Sequence, residues 1–100
     1  SSGSGGETVI IYMFVVEWCP HSKKALPIWE KVKEKYNGKK INNYTINFIL
    51  VDGEAEADLA DKYKVEGYPT IKLVKGNQVI EYDAKPSVEH LTEFLNSTLN

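Results

Sequence analysis

The chain has 100 residues, 42% of them apolar and 26% charged, with a formal net charge of -2. That balance suits one globular core and is too small for two. All twelve basic residues are lysines interspersed with acids, which argues against a nucleic-acid surface, and no apolar run approaches the roughly 18 residues of a membrane span.

Residues 1–6 (Ser-Ser-Gly-Ser-Gly-Gly) read as a flexible linker or cloning scar, leaving residues 7–100 as a single domain. Glu7 to Val16 is a continuous β-branched and aromatic run. Continuous rather than alternating apolarity predicts a central strand buried on both faces. Pro20 then suits a first helical turn, where its missing N–H has no partner to lose. Ala25, Ile28, Trp29, Val32 and Tyr36 recur at helical spacing, which predicts a helix from Pro20 to Tyr36, kinked at Pro27 and stopped at Asn37-Gly38.

Lys39 to Asn43 reads as a polar connection and Ile46 to Val51 as a second buried strand, parallel to the first by the right-handed crossover rule. Glu54 to Lys64 predicts a short, weak helix. Thr70–Val74 and Val79–Tyr82 flank Gly76-Asn77, a two-residue turn, and should pair antiparallel. Ser87 is the expected N-cap of a last helix whose apolar face carries Val88, Leu91, Phe94, Leu95 and Leu99. His90 falls off that stripe and reads as a surface residue. The β-α-β-α-β-β-α order predicts an α/β sandwich with a four-stranded mixed sheet, ordered Ile46–Val51, Val9–Val16, Thr70–Val74, Val79–Tyr82.

The only cysteine, Cys19, falls where the first strand gives way to the first helix. Open α/β sheets expose their sites at such junctions. A free thiol with a pKa near ~8.5 is only slightly ionised at neutral pH, but the positive end of a helix favours the thiolate, and such sites reach roughly 3.5–7. One cysteine cannot form an internal disulfide, and with His21 and His90 far apart it does not make a zinc site. A lone cysteine is most often an inert buried hydrophobe. The flanking Trp18 and Pro20, with His21 two residues on, favour a reactive thiol instead, and Trp18 reads as its shield and an apolar contact for substrate.

Val16-Glu17-Trp18-Cys19-Pro20-His21-Ser22-Lys23 resembles the active-site segment of the thioredoxin superfamily, usually Trp-Cys-x-x-Cys-Lys. Lys24-Ala25-Leu26-Pro27-Ile28-Trp29-Glu30 is similar to protein disulfide isomerase domains in particular. Gly67-Tyr68-Pro69-Thr70-Ile71-Lys72 resembles the family's loop that carries a cis-proline opposite the active site. The resemblance spans Val9 to Leu99 and implies a minimal thioredoxin fold. It also implies a cis bond at Tyr68-Pro69 and a peptide-binding groove made by Trp18, Pro20, Tyr68 and Pro69. Cys19 would be the nucleophile, His21 would tune its thiolate, and Ser22 would hydrogen-bond it.

Three departures from the family go together. Ser22 stands where the second, resolving cysteine belongs. Met13 stands where the family has a buried aspartate or glutamate that helps move that cysteine's proton, and the arginine that disulfide isomerases use is missing. The chain also begins at the family's second strand, so the strand Ile46–Val51 is expected to be less covered. The expected activity is therefore thiol–disulfide exchange or isomerisation on protein or peptide disulfides through Cys19 alone, by mixed disulfides. Glutathione, another thiol, or a partner reductase or oxidase would release them. No cofactor, metal, nucleic acid or membrane is expected, and the domain is expected to be a monomer.

Rival readings are a non-catalytic client-binding or retention module, and a Cys-Pro-His-Cys dithiol enzyme whose resolving cysteine was replaced by serine to trap mixed disulfides. A glutathione- or cluster-binding monothiol glutaredoxin relative fits less well, for want of an arginine clamp. The endoplasmic reticulum lumen and the cytoplasm are both compatible with the sequence. Asn43-Tyr44-Thr45 and Asn96-Ser97-Thr98 match glycosylation acceptors, and no reticulum-retention ending appears.

Overall fold

The computed structural model describes residues 6–99. The linker reading for the first residues therefore falls, except for Gly6, outside the described residues. In chain order the elements are β1 (Glu7–Val15), α1 (Pro20–Tyr36), β2 (Lys40–Ile41), β3 (Tyr44–Asp52), α2 (Ala57–Lys62), β4 (Thr70–Lys75), β5 (Gln78–Tyr82) and α3 (Val88–Thr98). The sheet has five strands in the order β2-β3-β1-β4-β5. The expected order of the four long strands holds. β1 runs parallel to β3 and antiparallel to β4, and β4 turns back into β5 through Gly76, which has φ 62.

The fifth strand corrects the reading of Lys39–Asn43 as a plain connection. Asn42 and Asn43 both adopt positive φ, 52 and 73, the geometry of a two-residue hairpin turn. Lys40–Ile41 thereby folds back on Tyr44–Thr45 and covers the first residues of the sheet edge. Asn42 Nδ2 also donates to the Leu99 carbonyl at 3.1 Å, tying this hairpin to the end of α3.

The core sits mainly on one face of the sheet. Val9, Ile11, Met13 and Val15 alternate along β1 and meet Ile46 and Phe48 of β3 and Ile71 and Leu73 of β4. α1 covers them with Ala25, Trp29 and Val32, and α3 with Leu91, Leu95 and Leu99. The Trp29 and Phe48 rings meet edge to face at 5.2 Å. The other face is thinner: Phe14, Val51 and Ala60 are buried there, with Tyr12, Leu59, Tyr63, Val65 and Tyr68 packed around them.

β1 is buried on both faces as its continuous apolarity predicted, but β3 is not. Ile49 is 39% and Leu50 46% exposed, because α2 spans only six residues and α1 does not extend over Leu50. α2 is shorter than Glu54–Lys64 because Asp52 holds the chain in a turn: its Oδ1 accepts from the N–H of Glu54 at 2.9 Å and its carbonyl from Glu56 at 2.8 Å. Ser87 is the N-cap of α3 by position, without a side-chain capping bond. Among the described residues no helix is long and apolar enough to cross a membrane, and no group of three or more His, Cys, Asp or Glu is placed to hold a metal ion.

Candidate active site at the head of the first helix

β1 delivers the chain to the carboxyl end of the sheet, and α1 starts at Pro20, so Cys19 becomes its N-cap with an extended φ of -97 and ψ of 118. Its carbonyl accepts from the N–H of Lys23 at 3.3 Å. The first turn holds no acidic side chain, so none within the helix start offsets its positive end. The thiol is partly exposed.

The Cys19 thiol is held below its ordinary pKa. The largest cause is the backbone N–H of Ser22; partial burial opposes it, and the His21 N–H and the Ser22 hydroxyl add to the lowering. The geometry thus assigns the effect to the peptide groups of the first helical turn, which point at the sulfur because the helix begins there. The His21 side chain, two residues on in sequence, is exposed, and the contribution of His21 here comes through its backbone.

Ser22 is only 1% exposed, and its Oγ accepts from the N–H of Val16 at 3.3 Å. The hydroxyl therefore bridges the end of β1 to the first turn of α1. Met13 lies buried beneath this junction at 1% exposure, in register with Leu50 of β3. The position where the resemblance calls for an acid is apolar on both neighbouring strands.

Across from Cys19, the Tyr68-Pro69 bond is cis. The Cys19 Sγ lies 3.9 Å from the Tyr68 carbonyl oxygen, as donor to it. Trp18 stands beside them, 66% exposed, with its ring edge-on to that of Tyr68 at a centroid distance of 6.3 Å. Pro20 is exposed on the helix start, and Pro69 is half-buried in the loop. Trp18, Cys19, Tyr68 and Pro69 thus gather at one end of the sheet, with Pro20, His21 and Ser22 on the helix that begins there.

Two contributors were not singled out in the sequence. The Trp18 indole N–H donates to Glu54 Oε2 at 2.8 Å, across 36 residues of chain. Gly53, buried, packs under the Tyr68 ring, and its N–H donates to the Val15 carbonyl at 2.7 Å. The only sequence signal for these roles was the Asp52-Gly53 turn itself, which marks the strand end without saying which rings meet it. Of the acceptor motifs, Asn43 lies exposed in the β2–β3 turn, whereas Asn96 is within α3 and donates to the Thr92 carbonyl at 2.8 Å.

A partly exposed thiol with a lowered pKa, next to a backbone carbonyl at a sheet end, can attack a disulfide sulfur and hold an extended peptide beside it. The thioredoxin family's sequence profile matches residues 4–97. Endoplasmic reticulum resident protein 44.2 of Caenorhabditis elegans is 33% identical over 98 residues, covering 96% of this chain and 24% of that protein. Protein disulfide-isomerase A4 of Mus musculus is 33% identical over 82 residues, covering 82% of this chain and 12% of that protein. The solution structure of the first thioredoxin domain of mouse protein disulfide-isomerase A4 superposes with a TM-score of 0.80 at 27% identity, covering 92% of this chain and 64% of that one. The chain spans about a quarter or less of the length of these curated relatives. With its profile match, its relatives and its fold in agreement, the chain belongs to the thioredoxin family and resembles its disulfide-isomerase branch.

Proposed function

We propose that this domain exchanges thiols and disulfides with protein clients through Cys19 alone, forming mixed disulfides that only an outside thiol resolves. The observation that carries this reading is the 3.9 Å approach of the Cys19 sulfur to the Tyr68 carbonyl at a helix start, with a serine buried where a second thiol would stand. In the forward step the Cys19 thiolate attacks one sulfur of a client disulfide; a Cys19–client bond forms and the other client sulfur leaves as a thiolate. Release requires a client thiol, glutathione or a partner reductase or oxidase, since no internal thiol competes. Isomerisation and client retention are therefore favoured over net reduction.

Ser22 and the first-turn N–H groups stabilise the thiolate, with His21 at the rim. Trp18, Pro20, Tyr68 and Pro69 form the groove, in which the Tyr68 backbone pairs with a bound strand. No cofactor takes part, and the domain works as a monomer. Relatives named as endoplasmic-reticulum residents and disulfide isomerases support a lumenal site of action over a cytoplasmic one.

Reactivation of scrambled ribonuclease and dithiol-driven insulin reduction, measured on this chain, Cys19→Ala and Ser22→Cys, test the reading. Isomerase activity that vanishes in Cys19→Ala, with insulin reduction gained in Ser22→Cys, is the expected result. Equal activity in this chain and Cys19→Ala would make it a non-catalytic binding module.

A further inference from the structure

Beside the Cys19 segment, on the side of Leu50 rather than of the cis-proline loop, a cavity of about 290 Å³ opens against Val15, Val16, Leu26 and Leu50. Its walls are apolar, and the exposed side chains of Glu17, Asp52 and Lys23 stand at its margin. Leu50 is 46% exposed, and Trp18 near the thiol is 66% exposed. Met13, buried at 1% exposure, is the β1 partner of Leu50, so the strand next to this wall is apolar as well. A concave, largely apolar site of this kind can receive an apolar group of another molecule.

We propose that this cavity is a second client subsite, which takes one aliphatic side chain of the polypeptide engaged at Cys19 and favours clients with a lysine or arginine next to that residue. The proposal rests on the mixed-disulfide reading above and names its client class. Two observations point to that occupant. The cavity is continuous with the active-site segment: Val16 and Glu17 line it, and Cys19 is three residues from Val16, within roughly 10 Å along the chain. The margin carries Glu17 and Asp52 against Lys23 alone, and Glu54 adds a third exposed carboxylate under Trp18, so the local field favours a cation. The volume lies just under the roughly 300–1,000 Å³ of small-molecule pockets, which suits a side chain rather than a cofactor.

The test separates pocket from chemistry. Cys19→Ala protein is titrated with peptides that carry serine for the client cysteine and a Lys-Leu pair two to four positions away, and the methyl resonances are followed. The expected result is shifts confined to Val15, Val16, Leu26 and Leu50, with affinity lowered about tenfold when the peptide leucine becomes threonine, and lowered also when its lysine becomes glutamate. Leu50→Ser, checked for an intact fold by spectral dispersion, should abolish the preference for leucine. Shifts elsewhere, or peptides that bind alike, would overturn the subsite.

In parallel, the cysteine forms of the same peptides, activated as nitrothiobenzoate disulfides, react with the unmodified protein. Cys19 forms a bond to the peptide sulfur, and the nitrothiobenzoate leaves with the electron pair, with no net oxidation. Faster reaction of the Lys-Leu peptide supports the subsite. A Cys19 inert toward every disulfide would sink the mixed-disulfide reading, while the methyl titration still judges the pocket.

Discussion

The ring of Tyr68 rests on Gly53: a Cβ built there would come within 2.6 Å of the Tyr68 Cζ and hydroxyl oxygen. The glycine that ends β3 therefore sets the height of the loop that faces Cys19. Gly53→Ala should push the ring away and cost about 1–3 kcal/mol, as overpacking does, and should slow thiol exchange as the Tyr68 carbonyl moves from the sulfur. Gly67→Ala, in open space in the same loop, should stay within about 0.5 kcal/mol. Urea unfolding and reaction rates of the two variants check this; equal effects would contradict it.

Ser22 has two duties, and one substitution should reveal both. Ser22→Ala leaves the buried Val16 N–H without its acceptor, a loss of about 1–3 kcal/mol. It also removes the hydroxyl that helps lower the Cys19 pKa, so the inflection of alkylation rate against pH should move up toward the free-thiol value. His21→Ala keeps the backbone donors and should move that inflection less. A larger shift in His21→Ala would assign the thiolate's stabilisation to the imidazole instead.

Stability should respond to pH with opposite signs in two ranges. Cys19, whose pKa is lowered in the fold, binds fewer protons folded than unfolded between its folded value and about 8.5. Its contribution is complete above the free-thiol value and is lost as the pH falls through the folded one. Tyr12 and Tyr82 are raised, chiefly by burial, and at Tyr12 also by Tyr63, so folded protein holds their protons longer and stability should drop as pH climbs past about 10. Relative to Cys19→Ser, this chain should gain stability with rising pH in the first range. Tyr82→Phe should show a gentler fall in the second. Parallel urea midpoints across both ranges would contradict these assignments.

The two tryptophans should report separately. Trp29 is 1% exposed on the buried face of α1 and Trp18 66% exposed at the site, so acrylamide should quench one emission component freely and the other hardly at all. Glu54→Ala should free the indole N–H and change the accessible component alone, with stability altered by less than about 0.5 kcal/mol. Trp29→Ala should instead cost about 3–5 kcal/mol.

Much of this architecture was legible because its signals are local and strong. The helical spacing from Ala25 to Tyr36 and the proline at its start fixed α1, and the Gly76-Asn77 turn fixed the β4–β5 hairpin. The family resemblance carried the cis bond at Pro69. The misses share a physical cause. Lys40–Ile41 is a strand by pairing with Tyr44–Thr45, and its own polar composition gives no sign beyond the two asparagines that can adopt positive φ. Ile49 and Leu50 are apolar in sequence yet exposed, since burial depends on how far α1 and α2 reach across the sheet. Glu54 and Gly53 meet Trp18 and Tyr68 only through the folded sheet end, so no spacing rule could have paired them.

The central claim concerns a single thiol that bonds to clients and cannot release them. Mass spectrometry of this chain after a peptide disulfide is added reads it directly, alongside Ser22→Cys. One stable peptide adduct on Cys19, removed only when an external thiol is supplied, is predicted here, whereas Ser22→Cys should expel the peptide and close an internal disulfide. No adduct on Cys19, or an adduct that this chain sheds unaided, would contradict the account.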